Sequence, residues 1–194
     1  MPTANALKTY CQSITPLSEA ELSLIDKYFV RKEIARRKYL LAVEQVCDFI
    51  AFVEQGAIRH LHLKDGDEIS CDFSFENCFI TDFSSFNSGK ATNAAFQAME
   101  HSVVWLIYKP ALSELYAKVP AFQTIGRVAS EEVAQKASDI ARSLGSDRPA
   151  ERYQKLLQTQ PELFQRIPQR YIADFLGISP ESLSRICKRL SRGE

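Results

Sequence analysis

Glu181, Ser182, Ser184, Arg185, Lys188 and Arg189 place carboxylate, hydroxyl, guanidinium and ammonium groups within nine positions near the end of the chain. Such a set can hydrogen-bond base edges in a DNA major groove and pair with the phosphates beside them. Ser179 and Arg170 stand just upstream and extend the same candidate surface. Other chemistry-bearing groups form weaker patterns. His60 and His62 share one face of a strand-like stretch and Glu68 follows, a set that points toward metal ligation, but the spacing to Glu68 is long and no second ligand motif follows. Two half-exposed strand histidines account for it as well. Ser84 to Thr92 contains the Gly89-Lys90 pair of a phosphate loop, but Ser84 replaces its first glycine and Ala91 follows the lysine, so the Walker pattern fails.

The flanks of the first cluster define the element that must carry it. Ile172, Leu176, Ile178, Leu183 and Ile186 form an apolar seam, and Ala173 is small where two helices would press together. Gly177 can supply the φ > 0 residue of a tight turn, with Ser179 as N-cap and Pro180 at the first position of the next helix. The spacing predicts a helix-turn-helix whose second helix presents the polar cluster. The alternative is a helical hairpin with a solvated basic face. Upstream, Phe122, Ile125, Ala129, Val133, Ala137, Ile140 and Leu144 recur at helical spacing and predict one long helix with a single apolar stripe. A second copy of the same helix would bury that stripe and make the chain a dimer; the alternative is a helix lying on its own strand domain. Gly145 to Pro149 reads as the hinge beyond it.

Nearer the start, Ser18 and Glu21 have capping-box spacing and Leu17 with Leu22 that of a hydrophobic staple, which predicts a helix through Phe29. After a basic run from Arg31 to Lys38 the pattern becomes strand-like. Phe49, Ala51 and Val53 alternate with Ile50, Phe52 and Glu54, as in antiparallel strands that face two environments. Ala98 to Tyr108 reads as a last strand, and Pro110 and Pro120 each fit the first turn of a following helix.

The chain has 194 residues, 45% hydrophobic and 25% charged, a composition that excludes disordered, collagenous and rod-like classes. Net charge is zero, yet residues 148–194 hold nine basic against five acidic side chains, and residues 1–147 fifteen against nineteen. A basic tail on an acidic body points to an anionic partner for the tail. The five cysteines, Cys11, Cys47, Cys71, Cys78 and Cys187, are odd in number and form no C-x-x-C pair, so free thiols are expected. No apolar run approaches the roughly 18 residues that crossing a bilayer takes. The start, Met1 to Asn5, lacks a signal-peptide pattern, and the expectation is a cytoplasmic chain without a membrane partner.

These features resemble the bacterial Crp-Fnr superfamily of transcription regulators. Glu151 to Leu157, Pro161-Glu162-Leu163 and the helix-turn-helix ending Ser182-Leu183-Ser184-Arg185-Ile186 are similar to the tail of members from Bacteroidetes-type bacteria, and Phe79 to Lys90 and Gln97 to Glu100 match upstream. The resemblance implies an α+β chain with three parts. These are a cyclic-nucleotide-binding-like antiparallel β-roll over residues 1–120, a dimerisation helix over 121–145, and an all-α helix-turn-helix domain over 146–194; members usually continue past the recognition helix into a β-hairpin wing, whereas this chain stops at Glu194, so the expectation is a domain without the phosphate contacts of a wing. It also implies double-stranded DNA, a second copy of the chain and RNA polymerase as partners, with no catalytic residues.

Members that bind cyclic AMP carry a Gly-Glu pair and a later Arg-Ser pair that hold the ribose and the cyclic phosphate. The matching positions here are Thr81-Asp82 and Thr92-Asn93, with Lys90 nearby. Thr and Asn cannot supply a bidentate charged contact, so this reads as a degenerate effector pocket that does not take cyclic AMP, and no cofactor is expected. Pro180 occupies the place of an operator-reading Arg, so the operator of the best-known member does not carry over. The cysteine cluster of iron-sulfur members is missing, with Cys11 alone at the start, and reversible oxidation at Cys71 and Cys78 is the remaining redox option. Two other readings stay open: a sensor module without DNA function, and a metalloprotein similar to the cupins through His60, His62 and Glu68.

Overall fold

The structure, a computed structural model, describes residues 4–191. Two helices open it, α1 (Asn5–Ile14) and α2 (Glu19–Tyr28). The start of α2 is the expected capping box: Ser18 Oγ accepts from the Glu21 amide at 3.3 Å and the Glu21 carboxylate accepts from the Ser18 amide at 2.8 Å. Eight strands follow, β1 (Val30–Ile34), β2 (Tyr39–Leu41), β3 (Phe49–Gln55), β4 (Ile58–Lys64), β5 (Asp67–Ser74), β6 (Cys78–Ile80), β7 (Ala94–Ala98) and β8 (Ser102–Tyr108), with the short helix α3 (Phe83–Ser88) between β6 and β7. They form two four-stranded antiparallel sheets, ordered β1-β8-β3-β6 and β2-β7-β4-β5. The result is a β-roll.

Alternation along β3 and β8 separates two cores, not core from solvent. Ala51, Val53, Val104 and Leu106 fill the interior of the roll with Leu41, Ile58 and Phe96. Phe52, Trp105 and Ile107, on the opposite face, are covered by Leu7, Ile25, Leu115 and Phe122 from the surrounding helices. The single strand expected from Ala98 to Tyr108 is two: β7 ends at Ala98, and β8 begins at Ser102. At the start of β8, Gly56 of the β3–β4 turn packs on Ser102 so closely that a Cβ there would lie 2.2 Å from its Oγ.

α4 (Lys109–Lys118) and α5 (Ala121–Ser146) follow, with Pro110 in the first turn of α4 and Pro120 capping α5. The tail holds α6 (Pro149–Thr159), α7 (Pro161–Arg166), α8 (Gln169–Phe175) and α9 (Pro180–Ser191). Their core contains Tyr153, Leu163, Ile167, Ile172, Ala173, Leu176 and Leu183, and it is continuous with Ala57, Phe73 and Met99 of the roll. Phe73 and Phe175 meet edge to face at 5.8 Å across that boundary. The helical tail therefore shares buried apolar surface with the sheets.

Candidate nucleic-acid interface and effector cassette

Helices α8 and α9 form a helix-turn-helix. Gly177 turns the chain at φ +69°, a left-handed conformation that a side chain would strain. Ser179 Oγ then accepts from the Ser182 amide at 3.2 Å and caps α9. Leu183 is 1% exposed and anchors α9 on Ile172 and Ala173, both fully buried. This anchoring leaves Glu181, Arg185, Lys188 and Arg189 exposed and Ser182 and Ser184 half-buried. Arg185 Nη2 donates to Ser182 Oγ at 2.9 Å, so the hydroxyl pre-orients the guanidinium. The Glu181 carboxyl is held below its usual range by its own backbone amide and by the Ser179 hydroxyl. Arg170 lies on α8, exposed, its guanidinium 4.5 Å over the Tyr171 ring. All eight residues expected at the interface sit on these two helices or the turn between them.

What fixes this unit against the roll escaped sequence reasoning. Arg59 on β4 is 1% exposed. Its Nε donates to Ser70 Oγ at 2.7 Å and its Nη1 to Glu68 at 2.6 Å, while Nη2 stands 3.6 Å from the Asp174 carboxylate of α8. Tyr171 stacks on the guanidinium at 4.0 Å, and Asp174 also accepts from the Ser70 amide at 2.6 Å. A buried arginine with satisfied donors and two carboxylates is a clasp between β4–β5 and α8. Burial raises the Glu68 carboxyl, and the hydrogen bonds from Tyr39 and Arg59 outweigh it and hold it below the usual range. Arg166 makes a second clasp, bidentate to Glu76 at 2.7 and 2.8 Å and reaching Glu100 at 2.5 Å. Lys136 of α5 reaches Asp72 at 2.8 Å, and Arg152 links the Asp147 and Leu176 carbonyls at 2.7 and 2.6 Å. The orientation of α9 is thereby tied to both the roll and the long helix.

The cassette expected at an effector pocket is closed on itself. Asp82 caps α3, accepting from the Ser84 and Ser85 amides at 3.0 and 3.3 Å, and it also accepts the hydroxyl of buried Thr92. Ser85 Oγ donates to the Lys90 carbonyl at 2.6 Å and accepts from the Cys47 amide at 2.8 Å. Thr81 donates to the Phe49 carbonyl at 2.9 Å, and Lys90 and Asn93 are exposed. The side chains of Thr81, Asp82 and Thr92 are thus used inside the loop. Between β4–β6 and α5 lies a cavity of about 440 Å³, walled by His60, Ser74, Cys78, Thr81, Val133 and Lys136 among others. Of the five expected pocket residues only Thr81 is on that wall.

His60 packs on Phe96 at 4.6 Å, its Nε2 lies 2.9 Å from Ser74 Oγ, and burial pushes its pKa down to about 4. Glu68 is bound by Arg59 and Tyr39, so His60, His62 and Glu68 are not gathered into one ligand set, and no group of three or more metal-ligating side chains exists among the described residues. Cys71 is exposed, yet desolvation by the atoms around its sulfur and then the Asp72 charge raise its thiol to about 11, and burial also raises Cys78, which disfavours the reactive thiolate at both. Along α5, Phe122, Ile125 and Ala129 are buried in the chain's own core, Val133 and Ile140 are half-buried, and Ala137 and Leu144 are exposed. No helix among the described residues is long and apolar enough to cross a membrane.

A β-roll joined by one long helix to a helix-turn-helix is the architecture of Crp/Fnr-type regulators, and solved structures of that class share it. The c-di-GMP responsive global regulator CLP of Xanthomonas campestris superposes with a TM-score of 0.72 at 15% identity, over 91% of this chain and 93% of that one. A CooA mutant from Carboxydothermus hydrogenoformans gives 0.71 at 15% identity, covering 88% and 79%. A crp/fnr-family transcriptional regulator of Eubacterium rectale gives 0.69 at 14%, covering 91% and 85%. No protein-family model and no curated protein matches the sequence. At such identities the likeness establishes the fold.

Proposed function

We propose that this chain is a DNA-binding transcription regulator of the Crp-Fnr type that works as a homodimer in the cytoplasm and catalyses no reaction. The observation that carries the reading is α9: capped by Ser179, anchored by Leu183, with Arg185, Lys188 and Arg189 presented to solvent. In this reading Arg185 reads guanine through a bidentate fork, while Lys188, Arg189 and Arg170 pair with phosphates. Glu181, Ser182 and Ser184 complete the polar contacts, and Ser179 adds the turn.

Two copies are joined through α5, with residues 1–120 as sensor, 121–145 as dimerisation helix and 146–194 as DNA-binding domain. The exposed face carrying Ala137 and Leu144, with half-buried Val133 and Ile140, supports that joint. The two α9 helices then reach successive major grooves, and the angle between them is set through α5, Lys136 and the Arg59 clasp. Cyclic AMP is not the effector, since Asp82 and Thr92 engage each other and the positions that match the phosphate-holding Arg-Ser pair are Thr92-Asn93. A molecule of another chemistry would enter beside Thr81 and His60. RNA polymerase is the expected protein partner at the promoter. Selection of bound fragments from random DNA tests the whole reading: a two-fold symmetric site is expected, and a pool that stays unenriched would leave a sensor module without DNA function.

A further inference from the structure

An apolar space behind the roll has no place in the function so far. Between the outer face of the β1-β8-β3-β6 sheet and helices α4 and α5 runs a narrow slot of about 40 Å³, walled by Ile50, Phe79, Ile107, Leu112, Leu115 and Phe122 among others. It lies on the opposite face of the sheet from the roll interior, where Ala51, Val53 and Leu106 pack. An apolar wall of this kind keeps a space dry and suits it to hydrocarbon.

The slot and the 440 Å³ cavity meet, because Phe79, Ile80, Thr81, Ala129 and Val133 wall both. The reason is topological. β6 is three residues long and stands at the edge of its sheet, so beyond it no strand separates the interior of the roll from the outer face. Phe79 points outward, with its ring 5.2 Å from Phe52 and 5.4 Å from Tyr10, while Ile80 packs into the roll. α5 lies across this free edge through Ala129 and Val133. From Gly126 in the slot to Lys136 in the cavity the helix rises about 15 Å, the length of an extended chain of about ten carbons.

The cavity end is polar and has no spare positive charge. Lys136 is held by Asp72 at 2.8 Å and by the Phe73 carbonyl at 2.7 Å, and Glu132 accepts from the Tyr10 hydroxyl at 2.6 Å. With His60 uncharged at neutral pH, two carboxylates against one ammonium on this wall disfavour an anionic ligand. His60 Nε2 meets Ser74, and Nδ1 has no partner among the described residues. A hydroxyl, donor and acceptor at once, suits that nitrogen in either tautomer.

We propose that cavity and slot form one site for an uncharged medium-chain amphiphile, with its hydroxyl head at His60 and its alkyl chain passing round the edge of β6, beneath Ala129 and Val133, into the slot. The proposal rests on the reading above that a molecule enters beside Thr81 and His60, and adds its chemical class. Such a chain packs against α5 on both sides of Ala129, the helix through which the recognition angle is set.

The test titrates the full chain by calorimetry with straight-chain alcohols from n-butanol to n-decanol and with decanoate. In parallel it follows alkylation by a maleimide of Cys71, an exposed thiol on the cavity wall. Affinity is expected to rise about fourfold for each added methylene until the slot is full, with Cys71 protected in step and decanoate binding more weakly than n-decanol. Ala129→Phe blocks the passage at the β6 edge and should stop the rise at the shorter alcohols. Leu112→Trp, on the α4 wall of the slot, should bring the plateau forward to a shorter chain, and it tests the same point should the tighter variant fail to fold. Binding that does not grow with chain length, or that favours decanoate, would overturn the proposal and leave the cavity to a compact or charged molecule. A folded variant of either kind that keeps the full gain with length would overturn it too. No binding and no protection of Cys71 by any alcohol would refute the reading that a molecule enters beside Thr81 and His60, a result distinct from the others.

Discussion

His60 gives a prediction that acid alone can test. Its ring is wedged between Phe96 at 4.6 Å and Ser74 at 2.9 Å, and burial lowers its pKa from 6.5 to about 4. In the unfolded chain the ring protonates at its ordinary value, so between the two the unfolded state binds the extra proton and stability falls as pH falls. At pH 5 the unfolded imidazole is almost fully protonated and the folded one almost fully neutral, a loss of about 2 kcal/mol relative to pH 8. Partial exposure of the ring edge makes that figure a ceiling. Urea unfolding from pH 8 to pH 5 measures it, with His60→Gln as the comparison, since the amide keeps a hydrogen-bonding group beside Ser74 and cannot titrate there. Glu68 and Glu76, both held below their usual range, lose their contributions at lower pH, so the window from 6.5 to 5 isolates the histidine. The wild-type curve should fall more steeply there than the variant's. Parallel curves would show that the ring is solvated and that the cavity wall is open at β4.

Other expectations follow from the same contacts. Replacing Val133 and Ile140 by Glu should convert a micromolar dimer to monomer in sedimentation, since each apolar side chain contributes on the order of 1.5 to 3 kcal/mol when buried; a wild-type monomer would contradict the proposed joint. Calorimetry with cyclic AMP should give no submillimolar binding, because the bidentate charge-assisted phosphate contact, worth about 2 kcal/mol or more, has no guanidinium at Thr92-Asn93; submillimolar binding would show that Lys90 or backbone amides supply it. Arg59→Met should leave Glu68 and Asp174 without their shared cation and increase amide exchange across α6–α9 while the exchange of β3 and β8 holds. Uniform protection in both regions would mean that the apolar boundary at Phe73 and Phe175 suffices to hold the tail.

Local signals were legible in the sequence. The cap at Ser179, the left-handed Gly177, the seam through Ile172 and Leu183, and the box at Ser18 all act within a few residues, and each stands where its spacing placed it. The architecture of roll, long helix and helix-turn-helix was reachable through family resemblance, which the shared fold supports. Non-local pairings were not. Arg59 alternates along β4 with half-buried histidines on the other face, and nothing nearby shows that its carboxylate partner is Asp174 in the tail. The cassette read as a ligand site with its charges missing, whereas Asp82 and Thr92 bond each other across the loop. The stripe on α5 was visible as one face, but periodicity cannot say that Phe122, Ile125 and Ala129 cover the chain's own roll and helices. The break at Met99 to His101 lacks a glycine or proline, so no local residue marked it.

Binding of the Arg185→Ala and Lys188→Ala variants to the selected site and to random duplex of equal length is the most direct measurement of whether α9 reads bases. Arg185→Ala should lose about 1 to 3 kcal/mol per half-site on the selected sequence and little on random DNA, narrowing the gap between them. Lys188→Ala should weaken both by about the same factor. If Arg185→Ala lowers both equally, or leaves both unchanged, then α9 does not read bases and the central claim fails.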